Sequence, residues 1–365
     1  MKTMVTICRC IVSAAACLML LMAGCTPSTR QASQSKAANQ PEPAAEVQPP
    51  VESKTQVQQQ QQPGPQKPTY TLALKFSPQD ATKYCVIVEA DRSVQWEGTA
   101  PERPSAFKGG HTGNHIETTF TQKIRSVDEK GDAIADITIE ALKYLGKVRD
   151  NILIDFDSTR QTDQNEPLAK LIGKTYTVEL SPSAQVIRVV DVNQAQSAVN
   201  GASAAHRTAS QLLSTEVIQE RHTIPALDGT KEKRLSVGDS WSNIKTFSFG
   251  MMGSRTHERV YTLKDVSQFD NRQVAVVEMN AIPSAEMAKQ LHKEEGTGFF
   301  TKMFDNIETY TGRLKLDLAA GKVEEYLEQL KTEWVAAEPP TDSNDRGPAA
   351  LRMTATRLYH IERIP

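Results

Sequence analysis

From Tyr70 to Ile361 the chain keeps returning to one pattern, an alternation of apolar and polar residues, and this constrains its fold more than anything else in it. Tyr70, Leu72, Leu74 and Phe76 alternate with Thr71, Ala73 and Lys75. A period of two sends successive side chains to opposite faces of an extended strand, so one face can be buried and the other solvated. The same reading gives strands at 83–90 (continued by 94–97), 115–127, 133–145, 151–156, 175–180 and 185–190. After Pro225 it gives more, opening at Val237-Gly238-Asp239-Ser240-Trp241 and running through 256–266, 272–280, 308–318, 322–334 and 351–361. Turn residues separate them, among them Ser77 to Asp80, Asp128 to Asp132 and Ser181 to Ala184. The stretches 101–113, 157–167 and 339–348 read as loops.

Between Gln194 and Glu220 the period changes. Ala195, Val199, Ala202, Ala205, Ala209, Leu212 and Val217 recur at helical steps, Asp191 or Asn193 can cap the start, and Pro225 ends the pattern. The spacing predicts one long helix, with a shorter one at 284–294 capped by Ser284. The fold class expected is therefore α+β, mainly antiparallel β. It would be a curved sheet or two packed sheets, built from two similar β-rich halves (69–192 and 235–365) with one long helix (193–222) between them. The halves echo each other. Phe120–Val127, a turn and Ala135–Ile137 parallel Val260–Val266, a turn and Ala275–Val277, and Thr175-Tyr176-Thr177 parallels Thr309-Tyr310-Thr311.

The N-terminus has a different character. Met1 to Arg9 carries Lys2 and Arg9 and no acid, Cys10 to Met22 is apolar, and Ala23-Gly24 precede Cys25. That is the plan of a lipoprotein leader, 1–24, with Cys25 as the acylation site and no span long enough to cross a bilayer comfortably. Residues 25–68 hold the lipidated cysteine and a tether of Gln, Pro, Ala, Ser and Glu, too poor in apolar side chains to offset chain entropy. Its reach is roughly 35–40 Å. Acylation would make the membrane a partner, and Thr26 after the cysteine leans toward outer-membrane sorting. Removing Lys2 and Arg9 with the leader leaves 40 basic against 44 acidic side chains. With no basic stripe, nucleic acid is excluded as a partner. Of five cysteines only Cys85 lies in the domain, so it forms no internal disulfide, and its apolar neighbours read as a buried strand.

The search for chemistry yields little. Gly173-Lys174-Thr175 imitates the end of a phosphate loop, but Leu168 stands where the first glycine belongs. Gly201-Ala202-Ser203-Ala204-Ala205 lacks the second glycine of a nucleophile elbow. His111 and His115 are the best metal candidates, set in a glycine-bearing segment that reads as a solvated loop. Asp155, Asp157 and Asp163 offer oxygen to calcium, without the glycine and closing glutamate of the known loop. No cofactor and no catalytic residue is expected. Phe299, Phe300, Met303 and Phe304 put more apolar surface into 284–300 and the residues just beyond it than a loop needs, and are read as a candidate ligand cover.

Asp155-Phe156-Asp157-Ser158, Leu171-Ile172-Gly173-Lys174 and Val237-Gly238-Asp239-Ser240-Trp241 together resemble a family of bacterial secreted lipoproteins of unknown activity. The resemblance runs over most of 70–364 and departs at Ser183-Ala184-Gln185, where the family tends to carry glycine. It implies a β-rich envelope domain and supplies no catalytic residue. The expectation is a lipid-anchored extracytoplasmic lipoprotein, not an enzyme, that acts as a binding module for a hydrophobic or peptide ligand. A structural or interaction lipoprotein is the alternative, and a metal-dependent hydrolase the third.

Overall fold

The computed structural model describes residues 67–97, 109–269, 272–284, 305–337 and 350–365. The strands are β1 (Ala81–Glu97), β2 (Gly110–Val127), β3 (Ala133–Val148), β4 (Asn151–Asp157), β5 (Thr175–Leu180), β6 (Val186–Asp191), β7 (Ser240–Ser248), β8 (Ser254–Phe269), β9 (Arg272–Pro283), β10 (Asp305–Asp317), β11 (Lys322–Ala337) and β12 (Ala350–Ile364). All twelve belong to one antiparallel sheet, ordered β6-β5-β3-β2-β1-β12-β11-β10-β9-β8-β7, with β4 paired on β3. The chain thus makes two meanders, joined where β1 pairs with β12 over 15 residue pairs from Lys83↔Ile364 to Glu97↔Ala350. The hairpins that echo each other in sequence hold matching places, since β5 pairs with β3 and β10 with β9.

The α+β expectation is overturned. The fold is mostly β, one sheet and not two packed ones, and no long helix lies between the halves. In its place stand α1 (Asn193–Ala198), α2 (Ala204–Leu212) and α3 (Thr215–His222). Serines break the run. The Ser203 hydroxyl accepts from His206 N and the Ser214 hydroxyl from Val217 N, so each begins a new helix inside the helical period. The apolar steps continue across both breaks, which hides them from a periodicity reading. Tyr70–Phe76 is also not a strand. It is extended, but its backbone bonds go to Leu235, to Pro182 and Gly321 in turns, and to the Thr230 hydroxyl. Alternation needs only an extended chain with one buried face, and Leu72 is fully buried. Ala184, in the turn between β5 and β6, has φ +54°. The turn keeps its left-handed residue at a cost of about 1–2 kcal/mol.

The helices lie on the inner face of the sheet and fill it over the first meander. Leu212, Leu213 and Ile218 join Phe120, Ile137 and Tyr176 in one core; each such side chain contributes about 1.5–3 kcal/mol by burial. Polar contacts fix the angle of α3. Arg221 Nη1 donates to Tyr176 Oη at 3.1 Å, His222 Nε2 shares a hydrogen bond with the same oxygen at 2.6 Å, and Tyr359 Oη on β12 donates to Arg221 O at 2.7 Å. Burial first, and then the Arg221 charge, hold His222 well below the ordinary imidazole value of 6.5. A pH dependence follows. Above pH 6.5 both folded and unfolded chains leave His222 neutral. As the pH falls below 6.5 the unfolded chain takes up a proton that the folded chain refuses, so stability drops by up to about 1.4 kcal/mol per pH unit until the folded value is reached. Denaturation midpoints measured from pH 7.5 to 5 should show this slope, and His222→Asn should flatten it; the same slope in the variant would assign it to other groups.

Candidate ligand-binding site

The second meander curls on itself. Arg259 on β8 and Glu328 on β11 have two strands between them, about 14 Å of flat sheet, yet their side chains meet at 3.2 Å. Phe247, on the edge strand β7, packs edge-on against Tyr310 of β10 with centroids 5.4 Å apart and lies under the Arg357 guanidinium of β12. Inside the curl Glu328 accepts from Arg259, from Tyr326 Oη at 2.5 Å and from Tyr310 Oη. Arg259 also donates to Asn243 Oδ1 at 2.7 Å, and Asn243 donates to Pro225 O at 2.9 Å, tying the cluster to the segment after α3. Burial works to raise the Glu328 carboxyl, but the Arg259 charge and the two phenols outweigh it and hold it below its ordinary value. Apart from the Tyr261 hydroxyl, buried beside it without a hydrogen-bond partner among the described residues, this hub is saturated with partners.

The next positions along the strands are not. His257, two residues before Arg259 on the same face, is 1% exposed and its Nε2 lies 2.5 Å from Glu308 Oε1. Burial raises the Glu308 carboxyl, and His257 and Arg255 more than reverse this, so it is ionised and only accepts. The shared proton therefore sits on His257 Nε2. Four atoms here are buried without a hydrogen-bond partner among the described residues: Arg255 Nε, His257 Nδ1, Glu308 Oε2 and Trp334 Nε1. They come from β8, β10 and β11, the strands brought together by the curl. Each orphan costs about 1–3 kcal/mol, and a grouping of them calls for a filling molecule, water or ligand. Beside them lies an apolar cluster separate from the main core, made of Met252, Trp334, Leu351, Met353 and Ala355, with Val94, Trp96 and Phe249 packed against it. The arrangement offers donors in Arg255 and Trp334, an acceptor in Glu308, the second ring nitrogen of His257 and an apolar wall. A glutamate-held histidine can also serve a general base, but no hydroxyl or thiol among the described residues bonds Nδ1.

The residues singled out by sequence fall elsewhere. Cys25, Phe299, Phe300, Met303 and Phe304 lie outside the described residues, as do 285–294 of the expected short helix. His111 and His115 are not in a loop. They lie on β2, on the outer face of the sheet, where His115 Nδ1 meets Glu89 Oε1 at 2.6 Å and His111 Nδ1 lies 3.7 Å from Asp91 Oδ2. The loop reading fails at Gly113, which sits in β2 because β1 comes so close that a Cβ would meet Ala90 O at 2.3 Å. No group of three potential metal ligands occurs among the described residues. In the acidic cluster Arg160 takes the place of a cation, 2.8 Å from Asp155 Oδ1 and 2.7 Å from Asp163 Oδ2, while Asp157 closes an Asx turn on Thr159. Cys85 is on a strand, as expected, but only half-buried. Burial first, and then Glu117, raise its thiol.

No family model matches the chain, and no curated protein matches it. Among solved structures, one described as "lipid-protein interactions in lipovitellin" aligns with 80% of this chain at 10% identity and a TM-score of 0.35. The chain spans 26% of that protein's length. A DUF1329 family protein from Desulfovibrio piger ATCC 29098 aligns over 76% of this chain and 85% of its own at 9% identity and a TM-score of 0.13. At these scores neither likeness assigns an activity or a ligand.

Proposed function

We propose that the chain is a lipid-anchored, extracytoplasmic binding module without enzymatic activity, held to the bacterial envelope through acylated Cys25. It takes a small amphiphile at the unsaturated end of the curled second meander. One observation carries this reading: buried polar atoms of Arg255, His257, Glu308 and Trp334 lack partners beside a separate apolar cluster. Their chemistry selects the head group. It must offer oxygen to Arg255 and Trp334 and hydrogen to Glu308, as an amide does, with an apolar tail against Met353 and Leu351. The leader sequence and Ala23-Gly24-Cys25 support the anchor. With the sheet about 40 residues of tether away from the membrane, the site would stay free to meet its ligand in the aqueous space.

Calorimetric titration of the full Cys25→Ser chain tests the site. Octanamide should bind at least tenfold tighter than methyl octanoate, which lacks the hydrogen for Glu308; a hydrogen bond to a charged group is worth about 1.5–3 kcal/mol. Binding of neither compound, or equal binding of both, contradicts the proposed head-group selection. The anchor is tested separately: labelled fatty acid should appear on the wild-type chain and be absent from Cys25→Ser.

A further inference from the structure

The free edge of β4 has no part in the proposed ligand site, and its construction suits another task. β4 follows β3 through the two-residue turn Arg149-Asp150, both residues with positive φ, 50° and 68°. That is the mirror-image turn of tight hairpins, costly for these residue types. It is held from outside: Asp150 N donates to His111 O at 2.8 Å, His111 N to Asp150 Oδ1 at 3.1 Å, and Arg149 N to Thr112 Oγ1 at 3.1 Å. The hairpin is therefore fixed to β2 and does not flap. Among the described residues β4 pairs only with β3. At its far end the outward groups are already used, Asp157 N donating to Asp163 Oδ2 and Arg160 Nη2 to Asp155 O. Among the described residues, no main-chain group of 151–154 bonds anything beyond β3.

Strand edges in native proteins are commonly blocked by charge, proline, a bulge or a covering element, and of these 151–154 carries a register shift that leaves Leu153 without an opposite residue on β3. Asn151-Ile152-Leu153-Ile154 has no charged residue and no proline, and Ile152 and Leu153 are each 58% exposed. Beside them a 220 Å³ cleft opens, walled by Leu153, Phe156, Leu168 and Ala205, with Asp163 and Glu166 on its lining. Arg160 offsets only part of the charge of Asp155, Asp163 and Glu166. We propose that this edge docks an extended segment of a partner protein that carries apolar and basic side chains on one face. The partner's backbone would extend the sheet beyond 151–154, an apolar side chain would enter the cleft, and a lysine or arginine would meet the acidic lining. A second copy of β4 is a poor occupant, because antiparallel self-pairing about Ile152 and Leu153 would set Asp150 against Asp155.

The test uses the full Cys25→Ser chain, a hexapeptide of sequence Leu-Thr-Lys-Thr-Leu-Thr, which sets leucine and lysine on one face, and its counterpart with glutamate in place of lysine. Hydrogen exchange of the 152–154 amides should slow on adding the lysine peptide, which should bind at least tenfold tighter than the glutamate one and more weakly as salt is raised. Ile152→Lys with Leu153→Lys should abolish the protection and leave the unfolding midpoint unchanged, since both side chains are largely exposed. The peptide comparison requires no variant, so a folding defect in the double mutant would not rescue the idea. Equal binding of the two peptides, protection confined to other strands, or undiminished binding by a folded double variant would overturn it. A concentration-dependent dimer whose contact protects 152–154 would overturn the choice of partner.

Discussion

Glu328→Ala is expected to destabilise the domain by about 3–5 kcal/mol, as removal of one member of a buried ion pair does. Arg259 is 6% exposed and would keep its charge with only Asn243 beside it, while the hydroxyls of Tyr310 and Tyr326 would lose their acceptor. Much of the loss would come from the stranded partners, not from the attraction itself. A paired replacement, Arg259→Met with Glu328→Leu, should therefore recover most of it, because an apolar pair of similar volume has no charge to desolvate. Urea unfolding of the three variants measures both effects. A loss under 1 kcal/mol for Glu328→Ala would mean that water reaches the hub.

A larger effect is expected from ending the chain after Ala349. β12 contributes 15 residue pairs to β1 and 13 to β11, and among the described strands it alone joins the two meanders within the sheet. Even at about 0.5 kcal/mol per pair, the loss matches the whole stability of a typical domain, about 5–15 kcal/mol. Two hydrophobic edges would be opened as well. The shortened chain should show no cooperative unfolding transition and should bind a hydrophobic dye. A sharp transition within about 1 kcal/mol of the full chain's stability would show that each meander folds by itself.

Most strands were legible because the alternation is local: β2, β3, β5, β8, β9 and β11 begin or end within a few residues of their expected bounds. The closure was not. Nothing in the sequence of 81–97 or 350–364 says that these distant segments pair, and only the sheet order shows it. The breaks in the helical region were legible in principle, through Ser203 and Ser214, but apolar spacing dominated the reading. The candidate site was missed for a different reason. Arg255, His257 and Arg259 look like a solvated face, yet they are in phase with Tyr261 and Leu263, which are fully buried. Likewise Glu328 and Thr332 are in phase with Tyr326, Leu330 and Trp334. Charged residues that keep the phase of a buried face are the signal that could have found the site. Composition alone does not set them apart from surface.

The central claim, that the unpaired atoms at the end of the curl are a ligand seat, can be read at one of them. The chain has three tryptophans, so an amide-correlated spectrum shows three indole signals. Trp241 Nε1 already donates to Ala226 O at 3.0 Å, whereas Trp334 Nε1 has no partner among the described residues. On titration with octanamide the Trp334 indole proton should move downfield as it gains an acceptor, Trp241 should stay in place, and Glu308→Gln should weaken the response. A Trp334 signal that does not move at saturating amphiphile, or one that moves no more than that of Trp241, would contradict the account.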